Sequence, residues 1–169
     1  VDLLYVPEAD APHWEQTDEK KALLTSAPAL RLWYVALNTT RGPLKDVRVR
    51  QALNHAVDVG TLLDKLLGGR GRLAAGVIPP TLDGADTSRA PYTYDPALAR
   101  RMLAAAGYPN GFDIELWLPQ DATFARVAES IQSYLAAVGV RAKIVQRESA
   151  AAREASRNGA TDMFVTDWY

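Results

Sequence analysis

Only two histidines occur in the 169 residues, His13 and His55, and they stand far apart with no His-x-x-x-His spacing and no neighbouring carboxylate pattern. Zinc is held by three or four protein ligands gathered at short spacings, so this arrangement offers no metal site. His55 falls on the polar side of its predicted helix and reads as a solvated or hydrogen-bonded surface residue. The sequence Gly69-x-Gly71 lacks the third glycine of a dinucleotide fingerprint, and no Lys-Ser or Lys-Thr follows it to hold a phosphate. It reads as a flexible turn after a helix. No Gly-x-Ser-x-Gly elbow presents a serine nucleophile. Asp113 and Glu115 share one face of a predicted strand, the placement that paired general acids and bases require. Such a pair also needs burial to split its pKa values, and that face carries Trp117 and reads as solvent-side or partly covered, so a structural role is expected. Arg48 and Arg50 read as solvated helix charge or a local salt bridge. Catalytic residues, metal ligands and cofactors are therefore all expected to be absent.

Composition narrows the classes further. Charge is nearly balanced at −1, with 19 Lys and Arg against 20 Asp and Glu, so no broad basic field exists to hold a phosphate backbone and no nucleic-acid partner is expected. Hydrophobic residues make up 48% of the chain without any run of eighteen, the composition of a single globular domain over residues 1–169. Cysteine is absent, which removes disulfides and thiolate sites but does not choose a compartment. The chain opens on Val1 in what reads as a strand, Val1 to Val6, and closes on another, Asp162 to Trp168. Both ends therefore read as cuts within a longer sequence.

The elements between them follow from pattern. Ala11 to Ala27 mixes charge with Trp14, Leu23 and Leu24, and predicts one or two short helices before Pro28. In the strand predicted from Leu30 to Asn38, Leu32, Tyr34, Ala36 and Asn38 share one face, while Arg31, Trp33, Val35 and Leu37 share the other. Both faces are largely apolar, as in a sheet covered on two sides. Asp46 caps a helix whose Val49, Ala52, Leu53, Ala56 and Val57 form one apolar stripe, and Asp58 caps a second helix to Leu67. Residues Gly68 to Tyr94 predict an extended surface excursion. Asp95-Pro96 starts a helix ended by Gly107, with Ala99, Met102, Leu103 and Ala106 as its buried stripe. The final third reads β-α-β-α-β: Phe112 to Leu118, Ala122 to Val138, Val140 to Val145, Ser149 to Asn158 and Asp162 to Trp168. Strands alternating with helices predict parallel neighbours in an α/β layered sheet with helices on both faces.

Several motifs run in a fixed order along the chain. They are Tyr34 to Asn38, then Pro43-x-x-Asp46-Val47-Arg48-Val49-Arg50-Gln51-Ala52-Leu53, then Tyr92-x-Tyr94-Asp95-Pro96 through to Ala106-Gly107-Tyr108. Ala128-Glu129-x-Ile131-Gln132-x-x-Leu135, Gly139-Val140 and Asp162-Met163 to Trp168 complete the series. In wording and order these resemble the second lobe of the peptide/nickel-type, family 5 substrate-binding proteins of ABC importers. The resemblance implies a type II periplasmic-binding-protein-like lobe, incomplete here, whose partner is the first lobe of the same protein. It further implies an extracytoplasmic receptor, periplasmic or extracellular and in some forms anchored as a lipoprotein, that delivers a peptide or another small solute to a membrane permease.

Carried over by position, Trp168 matches a tryptophan near the ligand, and Tyr34 an aromatic strand residue facing the cleft, although a core role fits Tyr34 equally. Gln120, in the strand-to-helix loop Pro119-Gln120-Asp121, and Tyr169, after the last strand, complete the candidate ligand-binding set. Trp168 is favoured because open α/β sheets bind ligands at the carboxyl ends of their strands. Two departures from the family stand out: the aspartate that holds a peptide's amino group would lie beyond Tyr169, and the loop at Gln120 lacks the arginine that some dipeptide binders offer to a carboxylate. The competing reading is a small α/β enzyme or regulatory ligand-binding domain using Asp113, Glu115 or His55; it requires those side chains to meet in one closed pocket.

Overall fold

A computed structural model describes residues 6, 10–25, 27, 29–79, 82–86 and 88–168. Of the strand expected at Val1 to Val6, only Val6 is described and it belongs to no strand; residues 1–5, the Pro28 stop and Tyr169 lie outside the described residues. Two short helices, α1 (Ala11–Trp14) and α2 (Asp18–Lys21), precede strand β1 (Leu32–Leu37). A 3-10 turn, Gly42–Lys45, leads into α3 (Val47–Ala56) and α4 (Val59–Leu67). No helix or strand occurs among the described residues from 68 to 95, where the excursion was expected. Helix α5 (Pro96–Ala105) then opens the alternating part: β2 (Phe112–Pro119), α6 (Ala122–Ala137), β3 (Val140–Arg147), α7 (Ser149–Arg157) and β4 (Met163–Trp168).

Each long helix starts where an acid can take the N–H groups that the first turn leaves free. Asp46 accepts from the Arg48 N–H at 2.8 Å, Asp58 from Thr61 at 3.0 Å and Asp95 from Leu98 at 2.7 Å. Asp121 accepts from both Thr123 and Phe124, at 2.8 and 3.0 Å, and Glu148 holds the Ala150 and Ala151 N–H groups. These caps fix where α6 and α7 leave β2 and β3, so they also fix the loops at the strands' carboxyl ends.

The four strands lie in the order β1-β4-β2-β3. β2 is parallel to both β3 and β4, as the alternating pattern predicts, whereas β1 runs antiparallel to β4, with Leu32 opposite Trp168 and Leu37 opposite Met163. One face of this sheet is the core: Phe112, Ile114, Leu116 and Leu118 from β2, Val140 and Ala142 from β3, and Met163 and Val165 from β4 pack with Val49, Leu53, Leu103, Ala128, Ile131 and Leu135 of the helices. Trp33, Val35 and Leu37 extend that face across β1, and Trp33 stacks on Phe124 of α6 with ring centroids 4.6 Å apart. Returning from β3 to β4 past β2 calls for a crossover on the opposite face. There α7 lies against β2 and β3, with Ala152 and Phe164 buried. This cover stops short of β1, whose Tyr34 is 39% exposed, so β1 is not closed on both sides as its composition suggests.

The turns before β2 and β3 touch. Gly111 has φ +70°, and a Cβ placed on it would stand 1.7 Å from the carbonyl oxygen of Gly139. A side chain is therefore excluded at the point where the Phe112–Val140 rung begins.

Candidate ligand site at the strand ends

Because β1 is antiparallel, its start lies at the same end of the sheet as the carboxyl ends of β4, β2 and β3, and Tyr34, Gln120 and Trp168 all fall toward this end. The register sets Tyr34 opposite Thr166 and Leu32 opposite Trp168, so Tyr34 and Trp168 are diagonal neighbours on the face away from the core. Trp168 is 68% exposed. Aromatic side chains so placed, each with an apolar ring and a polar tip, are groups on which a solute can stack. Gln120 follows β2 directly; its N–H donates to the Arg147 carbonyl at 2.8 Å, which leaves its exposed side chain free of that bond. Arg147 ends β3 and lays its guanidinium over the Trp117 ring, 5.5 Å from the centroid.

Pattern reading missed the charged part of this edge. On β4, Met163 and Val165 point into the core, and the alternation continues to Asp167, which is only 6% exposed. Nε of Arg31 donates to its Oδ2 at 2.7 Å, and Nη2 of the same guanidinium forms an ion pair with that oxygen at 2.7 Å. Its Oδ1 has no hydrogen-bond donor among the described residues, and the Arg153 guanidinium stands 3.7 Å away. Arg31 also lies over Trp33, 4.9 Å from the ring centroid. The available signal was parity: a carboxylate at a position where the pleat requires an apolar residue must find a cation.

The residues that would serve catalysis are dispersed. Asp113 is exposed and paired with Arg141 at 2.8 Å, and the hydrogen bonds from that guanidinium hold its carboxyl below the usual aspartate range. Glu115 accepts from the Trp117 indole N–H at 2.9 Å and faces Lys143 at 3.6 Å. His55 belongs to α3, on the core side of the sheet, where its Nδ1 lies 2.8 Å from the Thr93 carbonyl. Arg48 is paired with its own cap, Asp46, as a local salt bridge. Among the described residues no group of three or more His, Asp or Glu side chains could hold a metal ion.

The sequence profile of the bacterial extracellular solute-binding proteins, family 5 Middle, matches residues 1–169. The chain belongs to this family. Among family 5 relatives, the dipeptide-binding protein of Escherichia coli (strain K12) is 36% identical over 97% of this chain and 31% of its own length. Heme-binding protein A of Haemophilus influenzae is 34% identical over 99% of this chain and 31% of its own. The structure of HbpA2 from Haemophilus parasuis superposes with a TM-score of 0.85 and 31% identity, over 97% of this chain and 33% of that one. The chain thus spans about a third of the length of these family 5 relatives, and the mixed α/β sheet with flanking helices is the fold it shares with them.

Proposed function

We propose that this chain forms part of the second lobe of an extracytoplasmic solute-binding protein, and that the whole protein delivers a peptide or a similar small solute to an ABC permease. The carrying observation is the pair Trp168 and Tyr34, exposed side by side at the carboxyl ends of the parallel strands in a chain matched by family 5 over residues 1–169. A first lobe supplied by the rest of the protein would close over that platform, with Gln120 at its margin, and Tyr169 belongs to the proposed ligand set by its sequence position alone. Closure on a ligand is binding by hinge motion, and it requires no catalytic group. The family description as extracellular proteins supports a periplasmic or extracellular location, and lipoprotein anchoring fits the same reading. Relatives of nearly equal identity are named for a dipeptide and for heme, so the family alone does not choose the solute.

The test is calorimetric titration of the full-length protein with dipeptides, glutathione, heme and metal chelates. Binding of one class at micromolar affinity or better is expected, with Trp168→Ala weakening it at least tenfold while Tm stays within a degree or two, since the side chain is largely in solvent. Absence of binding to every class, or unchanged affinity in Trp168→Ala, would overturn the proposal.

A further inference from the structure

Asp167 departs from the pattern of its own strand. Met163 and Val165 set the parity of β4 toward the core, and Asp167 continues it with a side chain only 3% exposed. Replacing a buried ion pair with well-packed apolar residues is often neutral or stabilising, so a carboxylate here is a poor choice if stability alone is at stake. What an ion pair has and apolar packing lacks is direction. Departures of this kind concentrate at functional sites.

The direction it imposes follows from the register. Asp167 stands opposite Trp33, and Leu32–Trp168 is the last rung of the β1–β4 pairing among the described residues. Arg31 comes one residue before that rung and reaches across it on the core face, with Nε and Nη2 each 2.7 Å from Oδ2. Weakly buried ends of a structure open most readily, and here a charged tie spans the end of the ladder. On α7 the Arg153 guanidinium faces Oδ1 of the same carboxylate at 3.7 Å, so the end of β4 is tied to two elements at once. Arg31 in turn lies over Trp33, and Trp33 stacks on Phe124, whose N–H donates to Asp121 in the loop that carries Gln120. Trp168 follows Asp167 directly and points to the opposite face, so the tie acts on it through the backbone.

We infer that Asp167 is a positioning residue: tied to Arg31 and Arg153 on one side of the sheet, it fixes the end of β4 so that Trp168 is held in one orientation for the solute on the other. This rests on the solute-binding reading and adds to it the device that pre-organises the stacking side chain. Neither arginine needs to meet the ligand.

The test uses the full-length protein labelled with fluorotryptophan and observed by fluorine NMR without ligand, the Trp168 line being the one lost in Trp168→Phe. A single narrow line is expected in the parent. Asp167→Leu, the residue type that parity would place there, should leave Tm unchanged or higher and yet broaden or split the Trp168 line, with the lines of Trp14 and Trp117 as before. Asp167→Asn should broaden the same line, and Arg31→Lys, which keeps a charged donor, should keep it narrow. A Trp168 line unchanged in both Asp167 variants would overturn the positioning, and so would broadening of all the lines together, the mark of general loosening. Calorimetric titration with glutathione, Ala-Ala and heme adds a second arm. Losing the orientation of one side chain should weaken the bound solute about fivefold in Asp167→Leu, and by less than about twofold when Trp168→Ala is already present. Equal weakening in both backgrounds would overturn the positioning. Absence of binding by the parent would overturn the solute-binding reading, and the line shapes would still decide the positioning.

Discussion

Replacing Gly111 with alanine tests the close approach of the turns before β2 and β3, and two neighbouring glycines serve as its controls. At Gly107 φ is +97° with nothing within 4 Å of a new Cβ, and at Gly139 φ is +89° with neighbours no nearer than 3.5 Å. There alanine meets only the left-handed backbone penalty, about 1–2 kcal/mol. At Gly111 the same penalty applies, and the new Cβ would lie 1.7 Å from the Gly139 oxygen and 2.3 Å from its carbonyl carbon, where ordinary contact begins at 3.4 Å. The obstacle is backbone, so relief must come from separating the two turns. That separation is a third or more of the roughly 4.8 Å between paired strands, and it falls beside the first rung, Phe112 to Val140. Losing one or two ladder bonds, at about 1 kcal/mol each, and loosening the buried Phe112 brings the expected cost to about 3–5 kcal/mol. Urea unfolding followed by far-UV circular dichroism, with all variants in the same length of protein, gives the comparison. Gly111→Ala within about 0.5 kcal/mol of Gly107→Ala would refute the reasoning, because the collision would then carry no energy.

Two further outcomes follow from the packing and the charges. Leu116→Ala empties a fully buried position at the centre of β2 and is expected to cost about 2–5 kcal/mol in the same unfolding assay, whereas a change below 1 kcal/mol would mean that the sheet and α6 close over the gap. Asp46 is held below its ordinary value of 3.8 by the Arg48 side chain, Asp58 by the Thr61 N–H and Asp113 by the Arg141 guanidinium, and Glu148 is held below 4.5 by the Ala150 N–H. Depressed folded-state pKa values mean that the unfolded chain binds these protons first, so their contribution is complete above about pH 4.5 and is lost as pH falls through the folded values. Tm measured from pH 6 to pH 2 should therefore hold level and then decline below about pH 4.5; a decline starting near pH 6 would point to other groups.

What the sequence makes legible here is local. Asp46, Asp58, Asp95 and Asp121 announce their helices because a cap bonds to an N–H two or three residues on, and the stripe on α6 buries as its period requires. The direction of β1 is different: its pairing with β4 joins residues at opposite ends of the chain, and no feature inside Leu32–Leu37 records which way its partner runs. The site divides in the same manner. Trp168 and Tyr34 could be proposed by resemblance, and the register then set them on one face. Asp167 was open to suspicion from parity alone, but its partner Arg31 lies 136 positions away and carries no mark of the contact. Tyr34 was equally readable as core, and only the position of α7 over β2 and β3 left it uncovered.

The place of β4 in the sheet also sets a timetable. It comes last of the four strands in chain order yet lies inside, between β1 and β2. During synthesis β1 has left the ribosome more than a hundred residues before the strand that must join it to β2, and closing a loop of that size costs about 4 kcal/mol of chain entropy. Until Met163–Trp168 arrives, β1 and β2 face each other across a one-strand gap with open hydrogen-bonding edges. Joining β1 to β2 therefore waits on the insertion of β4 between them. A nascent chain stopped short of Met163 would remain adhesive, and its sheet would have nothing to join its two halves.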